Sequence, residues 1–143
     1  MARIQVLAPD KFSFSTSIPI RITDLNYGGH VGNDSILSLI HEARMQFLNR
    51  FGFTEMKFGS VSLIMSDVAI EFKNEIFYGD VLTAFVTITD LNRVGFDVIY
   101  KLLKTNNEKE VIVAIAKTGM ICFDYSRKKI VTVPQQVIEL LKL

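Results

Sequence analysis

Between Asp24 and Asp34 the chain reads DLNYGGHVGND, and this stretch gathers groups able to act on a polar ligand. A glycine-rich loop that runs into a helix presents free N–H groups and the positive end of the helix dipole, and both stabilise negative charge. The amides from Gly32 to Asp34, centred on Asn33, are the candidates for that task. Gly28, Gly29 and Gly32 let a ligand approach the main chain closely, or allow positive φ. Asn26 does not titrate, but its amide can orient a water or donate to an oxyanion. His30 is the one histidine of the loop, and its imidazole can act as a base or bind a carbonyl. Asp24 either contacts a ligand or holds the loop by accepting backbone N–H groups. Asp34 is expected as a helix cap. Two carboxylates outside the loop complete the set. Glu42 lies in the helix that follows, with its side chain directed back toward the N-terminal turns. Asp67 falls on a strand otherwise rich in apolar residues.

The elements that must position these groups are readable from periodicity. Phe12, Phe14, Thr16, Ile18, Ile20 and Ile22 alternate with polar residues, which predicts a strand with one buried face. Pro19 cannot donate to a ladder, so this strand is expected at an edge. Ser35 to Phe51 predicts a helix, with Ile36, Leu39, Ile40, Ala43, Phe47 and Phe51 on one face. Asn33, Asp34 or Ser35 can cap its start and Gly52 can end it. Phe53 to Ser60 reads as a loop. Ser62 to Lys73 predicts a strand with Ile64, Val68, Ile70 and Phe72 on one face. Val81 to Asp90, Val94 to Thr105 and Val111 to Phe123 are three further strands joined by short turns, the last with Gly119 as a candidate bulge. Tight turns between consecutive strands imply antiparallel pairing. Pro134 can open a short terminal helix.

The chain has 143 residues, which suits one domain over 1–143. Sixteen basic against fifteen acidic residues leave a net charge of +1, which gives no reason to expect a nucleic-acid partner. No apolar run approaches the roughly 18 residues of a membrane span. The first ten residues are too polar for a signal peptide, so the expected location is cytoplasmic. The single cysteine, Cys122, cannot form an internal disulfide and is expected as a core residue. No Cys/His cluster suggests a metal. No glycine motif for ATP or NAD and no GxSxG occurs. Arg127, Lys128 and Lys129 form the one basic cluster, a candidate for phosphate.

The order of strand, glycine-rich loop, long helix and successive strands resembles the hotdog fold of the thioesterase superfamily. Thr23 to Asn33 is similar to the D-x-D-x-x-x-H-V-x-N stretch of acyl-ACP thioesterases and to the D-x-D-x-x-G stretch of 4-hydroxybenzoyl-CoA thioesterase-like proteins. His41-Glu42-Ala43-Arg44 resembles the E-x-A/R patch on that family's central helix. Phe77-Tyr78-Gly79-Asp80 resembles its Y/F-G-D turn. The resemblance implies an α+β fold, an antiparallel sheet wrapped around one long central helix. It also implies a homodimer or homotetramer with the site at a dimer interface, and no cofactor beyond the coenzyme A of the substrate. Where the 4-hydroxybenzoyl-CoA thioesterase-like enzymes carry their working aspartate, this chain has Asn26.

Thioester hydrolysis needs a polarised carbonyl and either an activated water or an attacking carboxylate. The leading expectation is hydrolysis of an acyl-CoA or acyl-ACP. Amides near Asn33 polarise the carbonyl, Asn26 and His30 position water, and Glu42 or Asp67 supplies the carboxylate. Asp24, Gly28, Gly29 and Gly32 shape the substrate side. The alternatives are a non-catalytic acyl-thioester binder and an enoyl-thioester hydration, the latter pairing His30 with Glu42.

Overall fold

The computed structural model describes residues 1–143. The alternating segment forms strand β1 (Phe14–Pro19), and the in-and-out burial continues to Ile20, which is buried. The expected alternation fails at Ile22, which is exposed. There the chain curls into a single 3-10 turn (Ile22–Asp24), in which the Asp24 amide donates to the Arg21 carbonyl. Helix α1 (Asn33–Arg50) follows, then β2 (Ser62–Phe72), β3 (Val81–Thr89), β4 (Gly95–Asn106), β5 (Lys109–Asp124), a short β6 (Lys129–Ile130) and α2 (Gln135–Leu141). The sheet order is β1-β3-β4-β5-β2, with β6 beside β5, and every pairing is antiparallel. β1, with Pro19 at its end, lies at one edge, as the proline requires; β2 lies at the other.

Helix α1 begins two residues earlier than its apolar period indicates. Its N-cap is Gly32, in extended conformation, and no side chain caps it. Asn33, Asp34 and Ser35 therefore fall inside the first turn instead of capping it. Gly52, at φ +78°, follows the helix end as expected. The sheet curves round the buried face of α1, where Ile40, Ala43, Phe47 and Leu48 join the apolar cluster formed by β3, β4 and β5. Phe47 packs against Phe14 of β1 with ring centroids 5.7 Å apart.

The sheet is irregular at two places, and the first lies opposite Gly119, with the extra residue on β2 and not at the glycine itself. In β2 the register shifts between Met65 and Asp67, so Ser66 is the extra residue and donates its hydroxyl to the Gly119 carbonyl (3.1 Å). The bulge reverses the phase of the strand. Val68, Ile70 and Phe72 pair with Thr118, Ala116 and Ala114 on the helix side, but Ile64 pairs with Ile121 on the outer side, and Leu63 takes the inner place beside Cys122. In β5 the register shifts opposite Leu102 and Leu103, which leaves Val113 unpaired with β4. Its carbonyl instead accepts the amides of Lys73 (2.9 Å) and Asn74 (3.3 Å) and so pulls the end of β2 inward.

One feature of the core is polar. Arg44 lies on the buried face of α1, donates from Nε to Glu55 Oε1 (2.7 Å) and from Nη1 to the Tyr100 hydroxyl (3.1 Å), and Tyr100 meets Thr118 Oγ1 at 2.8 Å. Burial pushes the Tyr100 phenol above its ordinary range, so it stays protonated as part of this network. Cys122 is fully buried, and burial pushes its thiol up to about 11, so it is a core residue with little thiolate character.

Candidate functional site

The loop before α1 is a miniature hairpin. The Asn26 amide donates to the His30 carbonyl (2.8 Å), and Leu25 and Val31 form an antiparallel bridge. The turn closes through the Gly29 amide on the Asn26 carbonyl (3.2 Å) and the Gly28 amide on Asn26 Oδ1 (2.8 Å). Gly29 stands at φ +83°, where a side chain would be strained. At the base, Asp24 is buried and accepts the Arg21 amide (2.8 Å) and the Arg21 guanidinium (3.3 Å). Asp24 is thus the residue that holds the loop, as short acidic side chains do in turns, and its carboxylate is not open to a ligand.

The returning arm of this hairpin docks on the chain between β2 and β3. His30 forms an antiparallel bridge with Phe77, and the Val31 amide donates to the Ile76 carbonyl (2.8 Å). That segment is itself pinned from beneath. Lys104, nearly buried on β4, donates to the Glu75 carbonyl (2.6 Å) and to Asp80 Oδ2 (3.3 Å), and its ammonium lies 5.1 Å from the Phe77 ring centroid. Asp80 also accepts the Phe77 amide (2.8 Å). The Phe77–Asp80 turn therefore works as a clasp.

Between these parts lies a cavity of about 200 Å³. It is lined by His30 and Asn33, by the apolar Ile36 and Val113, and by the end of β2 with Glu75. The amides of Asn33 and Asp34 donate to no backbone acceptor, as the first amides of a helix must. Asn33 lines the cavity, at the positive end of α1. His30 Nδ1 lies 3.2 Å from the Val31 carbonyl, which can only accept. The ring can meet that carbonyl only as a donor through Nδ1, which leaves Nε2 free of the contact. Asn26 lies behind His30, and its side-chain oxygen is engaged by the Gly28 amide. Gly28 has room for only a tight side chain, since a Cβ there would stand 3.2 Å from Asn26 Oδ1 and 3.4 Å from His30 Nε2. At Gly32 a Cβ would stand 2.6 Å from Asp34 Oδ1. These glycines thus set the spacing of the loop's own side chains; Asn33, not Gly28, Gly29 or Gly32, reaches the cavity wall.

The structure does not bring the two expected carboxylates to this cavity. Glu42 is exposed on α1, accepts from Gln46 Nε2 (2.8 Å) and lines a separate cleft with Ser17, Arg21 and Ser38. The pairing of His30 with Glu42, on which an enoyl hydration would rest, is therefore absent within the chain. Asp67 lies on the outer face of the sheet. It accepts from Lys117 Nζ (2.6 Å) and from the Gly119 amide (3.2 Å), and the Lys117 contact holds its carboxyl below the usual carboxylate range. It alternates with Val68, which faces the helix side, and so points outward. The basic cluster is also apart: Arg127 pairs with Asp124 (2.9 Å), and Arg127 and Lys129 line another cleft with Arg93.

The two charged residues of the cavity, Lys73 and Glu75, were not singled out by sequence reasoning. Lys73 pairs with Glu71 at 3.2 Å. Neither belongs to a motif; the only sequence signal was their place just ahead of the Phe77–Asp80 turn.

The model of the thioesterase-like superfamily matches residues 20–141. A 1,4-dihydroxy-2-naphthoyl-CoA hydrolase of Microcystis aeruginosa is 28% identical over 121 residues, which cover 82% of this chain and 85% of that protein. Among solved structures, a 1,4-dihydroxy-2-naphthoyl-CoA thioesterase from Synechocystis superposes with a TM-score of 0.79 at 22% identity, covering 90% of this chain and 95% of that one. The 4-hydroxybenzoyl CoA thioesterase from Pseudomonas sp. strain CBS-3 gives a TM-score of 0.79 at 19% identity, over 91% of this chain and 99% of that one. At such identities the structural likeness establishes the fold, a hotdog sheet around a central helix.

Proposed function

The chain belongs to the thioesterase-like superfamily, and from that premise we propose that it hydrolyses an acyl thioester, of coenzyme A or of an acyl carrier protein, to free acid and thiol. The observation that carries the reading is the meeting of His30 with the free amides of the α1 N-terminus at one largely apolar cavity. Negative charge grows on the carbonyl oxygen as water attacks. Amides aimed at that oxygen from a helix N-terminus stabilise it most in the transition state. His30 can hold the water through Nε2, the ring nitrogen not engaged by the Val31 carbonyl. Asn26 fixes His30 through the hairpin bond between its amide and the His30 carbonyl. Water is the only co-reactant, so the reaction calls for no cofactor beyond the coenzyme A of the substrate.

The cavity favours a small acyl group. About 150 Å³ accommodates a benzene ring, and the present cavity is about 200 Å³. An aromatic or short acyl-CoA fits, in keeping with the naphthoyl-CoA named for the Microcystis relative. The working unit is proposed to be a homodimer, which can pair again into a homotetramer. β2 is an edge strand with Val68 and Phe72 40% and 49% exposed on its helix side, and a second copy would cover both the edge and those side chains. A cytoplasmic setting accords with a lone, buried cysteine outside any disulfide; no helix is long and apolar enough to cross a membrane.

The test is thiol release across a panel of benzoyl-, naphthoyl-, acetyl- and palmitoyl-CoA, with the acyl carrier protein conjugates beside them. Turnover is expected, with aromatic and short substrates ahead of palmitoyl-CoA. No release from any substrate sinks the hydrolase reading. A second reading, a binder without turnover, is favoured by one observation: Asn26 stands where the related enzymes carry an aspartate, and its oxygen is tied to the Gly28 amide. Heat on mixing with acyl-CoA but no thiol release would select it.

A further inference from the structure

We propose that Glu75 is the catalytic base of this hydrolysis, the carboxylate that takes a proton from the attacking water. The inference rests on the hydrolase reading above and supplies the group that Asn26 cannot. Of the carboxylates with a claim to the role, Asp24 is buried against Arg21, Glu42 lines a different cleft, and Asp67 is bound to Lys117 on the outer face of the sheet. Glu75 is the one carboxylate that lines the cavity shared by His30 and Asn33. It is committed to no ion pair, unlike Glu71, which holds Lys73 at 3.2 Å.

Its backbone is fixed where its side chain is free. The Glu75 carbonyl accepts from the nearly buried Lys104 (2.6 Å), and the next residue, Ile76, is buried and takes the Val31 amide on its carbonyl (2.8 Å). Two residues on, Phe77 bridges to His30. Glu75 and His30 therefore stand on neighbouring, bridged segments that line the same cavity. Glu75 thus supplies the cavity with the carboxylate that the amide of Asn26 cannot be.

The step balances without another reactant. Water oxygen bonds to the thioester carbon while Glu75 accepts one water proton, and the amides of Asn33 and Asp34 receive the oxyanion. Collapse breaks the carbon–sulfur bond, the electron pair leaves on sulfur, and the Glu75 proton passes to the thiolate. Free acid and thiol result, with Glu75 again ionised.

The experiment compares wild type, Glu75→Gln and Glu75→Asp in steady-state thiol release. Binding of an acyl-CoA analogue with a methylene in place of the thioester sulfur is measured alongside. Glu75→Gln is expected to lower kcat about 10²–10⁴-fold, the usual contribution of a positioned base, with analogue affinity kept and part of the rate retained in Glu75→Asp. The Glu75 side chain is exposed, and retained analogue binding checks that the variants fold. An active wild type with Glu75→Gln equal to it in kcat overturns the role of Glu75 while leaving the hydrolase reading intact. A wild type that binds the analogue but releases no thiol from any substrate removes both.

Discussion

Replacing Asn33 with proline is expected to lower kcat about 10²–10³-fold, the cost of deleting one oxyanion donor, while the fold and the affinity for acyl-CoA change little. Proline deletes the Asn33 amide together with the asparagine side chain, and leaves the helix start otherwise unchanged. Asn33 is the first residue of α1, where proline is well tolerated because that amide has no partner within the helix. The residue before a proline must be extended, and Gly32 already is, at φ −73° and ψ 157°. Asn33→Ala is the control, since it removes the side chain and keeps the amide. If the amide acts on the transition state, proline reduces kcat and kcat/KM together and alanine does neither. Equal activity of the two variants would show that the Asn33 amide makes no contribution.

The second large effect falls on stability. Arg44→Met is expected to destabilise the protein by about 2–4 kcal/mol. Breaking a buried pair by removing one partner costs about 3–5 kcal/mol, and Glu55, with its side chain 24% exposed, recovers some of that through water. The guanidinium ties three elements together: α1 through Arg44, the loop after it through Glu55, and the inner sheet through Tyr100 and Thr118. Methionine matches its length but bonds none of them. Urea unfolding with an unchanged m-value and a lowered midpoint checks the magnitude. Adding Tyr100→Phe to Arg44→Met should cost less than the sum of the two single changes, since both break the same bond. Strict additivity would mean that Arg44 and Tyr100 are energetically independent.

The sequence revealed the fold wherever a period was long and unbroken. The alternation from Phe12, the three-and-four spacing from Ile36 and the β-branched run from Val111 all became the elements they indicated. The two-residue turn at Asn107 and Glu108, both at positive φ, joins β4 and β5 where a polar turn was expected. What escaped was phase. A bulge leaves no mark in composition, so Ser66 and Val113 passed as ordinary strand residues, and Ile64 was assigned to the wrong face. Arg44 was hidden for a different reason: its spacing from Ile40 puts it on the buried face, but its charge argued for the surface. The site was half readable. His30 and Asn33 sit in a local pattern of glycines before a helix, and local patterns survive in one dimension. Glu75 meets them only because β2 runs along the far edge and returns through the Lys104 clasp, a contact between residues 45 positions apart from His30 in the chain.

The central claim is that the thioester carbonyl is held at the α1 N-terminus, in the cavity of His30 and Asn33. The most direct measurement is a crystal structure with the methylene-for-sulfur acyl-CoA analogue, which keeps the carbonyl and cannot be hydrolysed. The account predicts the carbonyl oxygen within about 2.7–3.1 Å of the amide nitrogen of Asn33 or Asp34, with the acyl group against Ile36 and Val113 and the Glu75 carboxylate on the side open to water. A carbonyl lodged instead beside Glu42 and Ser38, away from these amides, would contradict it.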